Sequence, residues 1–394
     1  MKYFFILGKN PLLSKAEIEA AFELKKIKYN VEIFSDNVLV VEIKKPLDID
    51  WLNQCLGGTI KIGQIMGEIK QLEDIQNKFF DWFEFGENKV FFGFSLYSLH
   101  KQNNLKKVQK KLLVIAMEIK RILREEKNIN SRWVSSKEPQ LSAVIVKKNK
   151  LLKYGSDICF FLNQDEILVG QTLAVQLFEE FGARDYGRPG RDDVSGMLPP
   201  KLAKIMVNLL QAKQDELILD PFCGSGTILQ EATLMNYINL IGFDKSEKAV
   251  ADTKNNLDWL AEKYQLDLSK IKVEQVDVKN LTNKLKDKKV DHIIAEPYLG
   301  PPLRGNESEN QIDLVLRELQ ELYLQAFTNF KNILNKNGKV VIVFPIFKIQ
   351  NENKKLEIAD EITKLGFKLL NKEELVYSRP KQFVWRDILI FMKK

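Results

Sequence analysis

The sequence is poor in the residues on which much enzyme chemistry depends. Its 394 residues include only two histidines, His100 and His292, and three cysteines, Cys55, Cys159 and Cys223. The cysteines lack the short paired spacing of zinc ligands and of secreted disulfide frameworks, so neither kind of site is expected. With so little histidine, mechanisms that use a histidine base or histidine metal ligands lose most of their support.

Long apolar runs are also missing. No stretch approaches the roughly 18 apolar residues that cross a bilayer, and the opening MKYFFILGKNP is too short in apolar residues for a signal peptide. The composition, 45% hydrophobic and 29% charged, is ordinary for a globular protein. We therefore expect a cytoplasmic protein of two or three domains with no membrane partner.

Positive charge is concentrated in one segment. The chain has a net charge of +7, yet residues 101–150 contain fourteen Lys and Arg against four Asp and Glu. The apolar spacing of residues 105–127 predicts an amphipathic helix with a lysine-rich outer face. That face is either a polyanion-binding surface or simply a solvated one. The candidate RNA-binding residues, with Trp133 nearby, are Lys106, Lys107, Lys110, Lys111, Arg132, Lys147 and Lys148.

The predicted elements before residue 196 form two small α+β modules. Residues 1–85 give strand, helix, hairpin, helix and strand, which is a ferredoxin-like order. Ser14 and Glu17 have capping-box spacing and predict the start of the first helix. The second module combines the basic helix with several strands, including one predicted at 142–148.

From residue 196 onward, strand and helix alternate as in a doubly wound α/β domain. A turn-rich stretch at 181–200, with four glycines and three prolines, marks the boundary before it. The last two predicted strands, 367–375 and 383–393, lie too close in sequence for a helical crossover. They predict an antiparallel hairpin at the end of the sheet.

Acidic residues end three successive predicted strands of this domain: Asp220, Asp244 and Asp277. The first of them opens the glycine-containing loop DPFCGSGT (220–227), which precedes a helix. Ligands of open α/β sheets bind at the carboxyl ends of the strands, where carboxylates can accept from ribose hydroxyls or an adenine amine. This pattern predicts a nucleoside-cofactor pocket, although strand-end acids also cap helices and glycine-rich turns serve other nucleotide binders.

The same loop, Asp244 and the residues EPY (296–298) resemble the class I S-adenosylmethionine-dependent methyltransferases. The segments 4–20 and 184–209 are similar to the THUMP-containing tRNA guanine-N2 methyltransferases of archaea and eukaryotes. The resemblance implies an α/β fold: a Rossmann-like domain, whose seven-stranded sheet ends in an antiparallel hairpin, preceded by α+β ferredoxin-like and THUMP domains. The implied domains are ferredoxin-like 1–85, THUMP 86–182, linker 183–195 and methyltransferase 196–394.

The resemblance also implies the cofactor, S-adenosyl-L-methionine, and the residues that hold it. The residues expected around its methionine part, ribose and adenine are Asp220, Pro221, Phe222, Gly224, Gly226, Asp244, Asp277 and Val278.

The fourth predicted strand ends in Glu296-Pro297-Tyr298-Leu299, which departs twice from the D/N-P-P-Y pattern of the resembled family. Methyl transfer to guanine N2 needs acceptors that orient the amine, together with a ring that stacks on the base. Glu296 and Pro297 match the acceptor positions, and Tyr298 is the candidate stacking ring. In the alternative interpretation, Glu296 is a solvated strand-end acid in a chain that has lost transferase activity.

Together with these residues, the resemblance implies a tRNA methyltransferase that forms N2-methylguanosine, with position 10 as the target. One alternative is an rRNA or DNA amino-methyltransferase with a similar catalytic domain. Another is a catalytically inactive RNA-binding scaffold. The expected partner is tRNA, and the resemblance to the eukaryotic relatives raises a small activating protein subunit as a second.

Overall fold

The computed structural model describes residues 1–83, 89–100, 105–191, 197–286, 288–349, 352–380 and 382–394. Contacts divide the chain into two compact units. The N-terminal unit contains residues 1–11, 27–54 and 59–178, and the C-terminal unit contains 12–26, 55–58 and 179–394. Residues 192–195 of the predicted linker lie outside the described part of the chain.

The strands up to residue 175 form one sheet of eight, in the order β2-β3-β1-β4-β8-β7-β5-β6. The predicted strand and helix order of the first 85 residues is confirmed, and β4 pairs antiparallel with β8, so both predicted N-terminal modules contribute to this sheet. The elements are β1 (Lys2–Leu7), α1 (Pro11–Leu24), β2 (Tyr29–Phe34), β3 (Val38–Ile43), α2 (Ile49–Cys55), β4 (Thr59–Ile69), α3 (Ile75–Trp82), β5 (Lys89–Ser98), α4 (Leu105–Glu125), β6 (Asn130–Val134), α5 (Ala143–Lys148), α6 (Leu151–Tyr154), β7 (Gly155–Leu162), β8 (Ile167–Val175) and α7 (Phe178–Tyr186).

Helix α4 is amphipathic, as its sequence predicts, and connects the parallel strands β5 and β6. Its buried residues recur at steps of one, three and four: Leu112, Ile115, Ala116, Ile119 and Leu123. They belong to the same core cluster as Phe92 of β5. Because side chains alternate along a strand, Phe91 points to the opposite face of the sheet, where it packs against a different cluster.

The prediction of a strand at 142–148 is wrong, because this segment forms helix α5. Ser142 is its N-cap, and the Ser142 hydroxyl accepts the Ile145 N–H at 3.3 Å. Ala143 and Val146, three positions apart, are buried, whereas Val144 between them is exposed. The β-branched composition favoured a strand, but the burial has helical spacing.

A buried ionic network connects four strands of the N-terminal unit. The Nζ of Lys61 on β4 lies 2.6 Å from Oδ2 of Asp157 on β7 and 3.1 Å from Oγ of Ser95 on β5. The hydroxyls of Ser95 and of Thr172 on β8 donate to the same carboxylate, each at 2.7 Å. Burial acts to lower the pKa of Lys61, but the attraction of Asp157 outweighs it and raises that pKa above its ordinary value. The network is internally paired and holds the strands together.

The C-terminal unit contains a sheet whose main path is β11-β10-β9-β12-β13-β17-β15. This seven-stranded path, with β17 antiparallel to both β13 and β15, confirms the predicted fold class and terminal hairpin. The short strands β14 and β16 pair beside it and make nine. The elements are α8 (Pro200–Leu210), β9 (Ile218–Asp220), α9 (Thr227–Leu234), β10 (Leu240–Asp244), α10 (Glu247–Tyr264), β11 (Lys272–Gln275), α11 (Leu281–Leu285), β12 (Val290–Ala295), α12 (Glu309–Ile333), β13 (Leu334–Lys348), β14 (Asn353–Lys355), α13 (Ala359–Lys364), β15 (Phe367–Leu369), β16 (Val376–Tyr377) and β17 (Val384–Lys393).

No helix in the described ranges combines the length and the apolar character needed to cross a membrane. The three cysteines are buried free thiols.

The predicted capping box at Ser14 and Glu17 is wrong. Helix α1 begins at Pro11, so both residues lie inside the helix, where their side chains are buried in the C-terminal unit. The Ser14 hydroxyl donates to the Gly58 carbonyl at 3.0 Å. The Glu17 carboxylate accepts the N–H groups of Gly57 and Gly58 at 2.7 and 2.8 Å. The pair therefore fixes a distant turn and does not cap its own helix.

Replacing Glu17 with Ala is expected to lower the free energy of unfolding by about 2 kcal/mol at pH 5, since three buried N–H donors lose their acceptor. The third donor is Asn208 Nδ2, at 2.8 Å. Burial raises the pKa of Glu17 from 4.5 to about 7. A raised pKa means that this contribution is complete below about pH 4.5 and is lost as the pH rises through 7. Urea unfolding should therefore show a larger cost of the substitution at pH 5 than at pH 8.

The matched control is Glu19→Ala on the same helix, where the carboxylate is partly exposed and faces Lys15 at 3.4 Å. Partly exposed pairs of this kind contribute little, so we expect a loss below about 0.5 kcal/mol. Equal costs for the two substitutions, or a larger cost of Glu17→Ala at pH 8, would contradict the proposed role of Glu17.

Candidate active site

A cleft of about 550 Å³ in the C-terminal unit is lined by residues at the carboxyl ends of β9, β10 and β12. Strand order reverses between β9 and β12, the place where open α/β sheets bind their ligands. Every predicted cofactor-binding and catalytic residue except Gly226 lines this cleft: Asp220, Pro221, Phe222, Gly224, Asp244, Asp277, Val278, Glu296, Pro297 and Tyr298. The structure thus brings together residues that lie up to 78 positions apart in the chain, from 220 to 298.

The two glycines of the 220–227 loop have different structural roles. Both have positive φ, +52° at Gly224 and +80° at Gly226, which favours glycine over other residues. A Cβ on Gly226 would come within 2.8 Å of Thr253 Cγ2 on α10, so this glycine permits close packing. A Cβ on Gly224 would meet no atom closer than 4.0 Å, because the space above it is open. Only Gly224 therefore leaves its backbone accessible to a ligand.

Asp220 is a buried carboxylate with an unpaired oxygen. Its side chain accepts the Phe222 N–H at 3.1 Å through Oδ1, while Oδ2 has no hydrogen-bond partner within the described residues. Burial raises the pKa of Asp220 well above its ordinary value, and the negative charges of Asp244 and Glu296 add to the shift. An unsatisfied buried carboxylate is costly. This position therefore fits a ligand that brings a cationic or N–H-donating group.

Asp244 and Asp277 accept hydrogen bonds from backbone turns and also lie at the cleft. Asp244 accepts the N–H of Gly224 at 3.0 Å and of Ser246 at 2.9 Å, and Asp277 accepts the N–H of Lys279 at 2.9 Å. Both carboxylates thus stabilise turns, yet both also line the cleft. Because a carboxylate oxygen has two lone pairs, these bonds leave acceptor capacity for a ligand.

Glu296 follows β12 directly and forms an ion pair that the sequence did not predict. Its Oε1 accepts from Nε of Arg386, on β17, at 2.5 Å. Arg386 is 8% exposed and lines the cleft beside Glu296. The sequence offered no distinctive signal for it, because Arg386 is followed directly by a second charged residue, Asp387, in the same strand. Pro297 is buried, whereas the Tyr298 ring is 55% exposed.

Residues of the predicted linker bind to the 220–227 loop. Asn256 on α10 exchanges two hydrogen bonds with the backbone of Gly190, at 2.7 and 2.8 Å, and donates to the Ser225 carbonyl at 2.8 Å. Arg188, 3% exposed, donates to the Thr227 hydroxyl at 2.5 Å. Neither Arg188 nor Asn256 is predicted from the sequence as a support of the cleft. For Arg188 the signal is the density of Arg and Gly in 184–191, and Asn256 has none.

The seven predicted RNA-binding residues fall into two groups within the N-terminal unit. The four α4 lysines lie on the exposed side of α4: Lys106, Lys107, Lys110 and Lys111. The Arg132 guanidinium lies 6.0 Å from the Phe91 ring, and Nζ of Lys147 lies 5.4 Å from the Phe178 ring. These two rings pack on the face of the sheet opposite α4. The structure therefore does not bring all seven residues onto one surface; Lys148 follows Lys147 on α5.

A second cavity, of about 280 Å³, adjoins the α4 lysines. Lys110, Lys137 and Trp133 are among its lining residues. The indole Nε1 of Trp133 is buried and has no hydrogen-bond partner in the part of the chain that the structure describes. An aromatic wall flanked by ammonium groups suits a stacked base and its phosphate.

Two families match parts of the sequence. Residues 188–357 match UPF0020, described as an RMKL-like methyltransferase domain. Residues 75–255 match a family described as DNA methylase.

Several curated relatives of the chain share one name. The tRNA (guanine(10)-N2)-dimethyltransferase of Methanocaldococcus jannaschii is 31% identical over 187 residues, which are 45% of this chain and 48% of that protein. Its namesake from Methanothermobacter thermautotrophicus is 36% identical, over 47% and 49% of the two chains. A probable enzyme of the same name from Methanothermococcus thermolithotrophicus is 32% identical over 36% of this chain and 77% of its own length. The chain spans about half the length of the first two relatives.

Solved structures agree with the fold. TrmN from Thermus thermophilus aligns over the full length of both chains with a TM-score of 0.57 at 14% identity. SMU.472, described as a putative methyltransferase and solved in complex with SAH, aligns over 100% of this chain and 98% of its own with a TM-score of 0.53, also at 14% identity. At such low sequence identity, the structural similarity shows the fold alone. The relatives and the cleft together show that the chain belongs to the tRNA guanine-N2 methyltransferase family.

Proposed function

We propose that this protein transfers a methyl group from S-adenosyl-L-methionine to the exocyclic N2 amine of a guanosine in tRNA. Position 10 is the target that the names of the relatives suggest. The observation that carries the proposal is that one cleft contains both a loop suited to the methyl donor and the Glu296-Pro297 acceptor pair. We include a cytoplasmic setting in the proposal.

The residues of the cleft fit S-adenosyl-L-methionine. The unpaired Oδ2 of Asp220 would accept from the ammonium of the methionine part, over the open backbone of Gly224. Asp244 would accept from the ribose hydroxyls and Asp277 from the adenine amine, with Val278 against the ring. When bound, the cofactor supplies an electrophilic methyl group on a sulfonium.

Glu296 and the Pro297 carbonyl would orient the target amine. The lone pair of guanine N2 is delocalised into the ring, so acceptors that hold its hydrogens direct the lone pair toward the methyl group. Glu296 Oε2 accepts no hydrogen bond from any described residue, so it is available for this contact. Tyr298, whose ring is exposed at the cleft, would stack on the base. A base inside folded tRNA has to be extruded to reach such a site.

The N-terminal unit would bind the tRNA. We retain residues 1–85 as ferredoxin-like, 86–182 as THUMP, 183–195 as linker and 196–394 as catalytic, as part of this proposal. The α4 lysines, with the nearby Trp133 cavity, form the main contact surface, and Arg132, Lys147 and Lys148 form a second. We include a small activating protein subunit in the proposal as a second partner.

Replacing the four α4 lysines with Gln is expected to weaken tRNA binding and flatten its salt dependence. Each lost phosphate contact reduces the slope of log K against log salt by up to about 0.9. Affinity for the cofactor should stay unchanged, since these lysines belong to the other unit. Filter binding of tRNA at a series of salt concentrations measures the slope, and calorimetry measures the cofactor.

The matched control removes four exposed lysines of the C-terminal unit, Lys254, Lys263, Lys270 and Lys272. Both quadruple variants lose the same charge. If they weaken tRNA binding equally, the effect is one of net charge and the α4 lysines are not a binding surface.

The proposed function itself is tested by mass spectrometry of nucleosides from tRNA, rRNA and DNA incubated with the protein and S-adenosyl-L-methionine. N2-methylguanosine or N2,N2-dimethylguanosine in tRNA supports the proposal. Methyladenine or methylcytosine in DNA would instead support the DNA methylase that one family match suggests. Absence of any methylated product, with SAH binding undetectable by calorimetry, would indicate an inactive scaffold.

A further inference from the structure

The pair formed by the half-buried Glu296 and the buried Arg386 presents a mixed set of hydrogen-bonding groups to the cleft. Glu296 uses Oε1 for Arg386 Nε, and its Oε2 is not bonded to any described residue. The terminal guanidinium nitrogens of Arg386 likewise make no further hydrogen bond within the described part of the chain. Both side chains line the cleft. An acceptor and a donor are therefore fixed side by side.

The Watson–Crick edge of guanine has the complementary arrangement. It presents two donors, the N2 amine and N1–H, followed by one acceptor, O6. Adenine presents a donor amine beside an unprotonated N1 and has no oxygen on this edge. A carboxylate next to a guanidinium thus matches guanine at three positions, whereas for adenine the carboxylate would face the N1 lone pair.

We propose that Arg386 is a specificity-determining residue that donates to O6 of the target guanine while Glu296 accepts from N1–H and N2. The inference rests on the proposed function and extends it, because it assigns the choice of base to a pair formed between β12 and β17. It also accounts for the glutamate at a position where the resembled family has Asp or Asn. The longer side chain reaches both Arg386 and the base.

The low exposure of the two side chains strengthens the discrimination between guanine and its analogues. The side chains of Arg386 and Glu296 are 9% and 15% exposed. When a buried polar group loses its partner on the substrate, water replaces it poorly, so analogues that lack the partner are rejected. Removing either the donor on the enzyme or the acceptor on the base should therefore abolish the same interaction.

The test combines enzyme and substrate changes. The substrates are two tRNAs assembled with guanosine or 2-aminopurine riboside at position 10; 2-aminopurine keeps the N2 amine but lacks O6 and N1–H. Single-turnover methylation is measured for the wild-type protein, Arg386→Met and Arg386→Lys. The wild type should prefer guanosine at least 100-fold. Arg386→Met should reduce that preference at least tenfold, and the preference that remains should come from the contact of Glu296 with N1–H. Arg386→Lys should retain an intermediate preference.

Arg317→Met, an exposed arginine on α12, is the matched control and should keep the wild-type preference. Calorimetry with SAH verifies that each variant has a folded cleft. If Arg386→Met methylates more slowly but keeps the full preference for guanosine, Arg386 only positions Glu296 and the inference is overturned. Equal use of both substrates by the wild type would overturn it as well. A wild type that methylates neither tRNA would count against the proposed function and this inference together.

Discussion

Glu296→Ala is expected to slow single-turnover methylation of saturating tRNA by about 10²–10³-fold, equivalent to about 2.7–4 kcal/mol. In the proposed mechanism the carboxylate is the acceptor that orients the amine, so its removal would leave the lone pair delocalised and undirected. The loss should lie in the rate at saturation rather than in tRNA affinity, because the proposal assigns tRNA binding mainly to the N-terminal unit. Rapid-quench measurement with excess protein reports this rate directly.

Glu296→Gln separates the chemical role from folding. The amide keeps the length of the side chain and one acceptor oxygen, but loses the charge beside Arg386. We expect it to fold normally and to retain a rate between those of the Ala variant and the wild type. Glu318→Ala, an exposed acid on α12, serves as the control. A full single-turnover rate in Glu296→Ala would show that Glu296 has no part in the reaction.

Asp220→Asn is expected to weaken S-adenosyl-L-methionine binding roughly 100-fold, because a charge-assisted hydrogen bond to a buried carboxylate contributes about 1.5–3 kcal/mol. The same change should stabilise the protein without cofactor. Burial raises the pKa of Asp220 well above its ordinary value, so its stability contribution is lost as the pH rises from about 4 through that raised pKa. Asparagine does not ionise and avoids this loss.

Calorimetry and thermal unfolding at several pH values test both halves of this prediction. The melting temperature of Asp220→Asn should exceed that of the wild type by a margin that widens as the pH rises. Asp215→Asn, on the loop before β9, is the control and should alter neither property. Unchanged cofactor affinity in Asp220→Asn would show that the unpaired oxygen does not receive the ligand.

Local sequence patterns predicted those parts of the molecule that depend on neighbouring residues. The strand-end acids and the 220–227 loop could be predicted from the sequence because each strand, turn and helix in this region is encoded within a few residues. The amphipathic period of α4 was readable for the same reason. The fold class followed from the alternation of these elements.

Side-chain partners that are distant in the sequence could not be predicted from it. Arg386 lies 90 positions from Glu296, and only the antiparallel placement of β17 beside β13 brings it to the cleft. Ser14 and Glu17 have the spacing of a capping box, but tertiary hydrogen bonds to residues 40 or more positions away determine what they do. In both cases the side chain's role is set by packing that local propensity does not encode.

The assignment of α1 and residues 55–58 to the C-terminal unit has a practical consequence for dividing the protein. The chain passes between the two units five times, at residues 11, 26, 54, 58 and 178. A truncated protein that begins at 179 would therefore lack a helix whose Leu13 belongs to the same core cluster as Leu202 and Met206 of α8. It would expose that apolar surface to water and leave Asn208 without Glu17. Residues 179–394 should thus aggregate when expressed alone. They should become soluble when residues 12–26 are fused to their N-terminus through a linker.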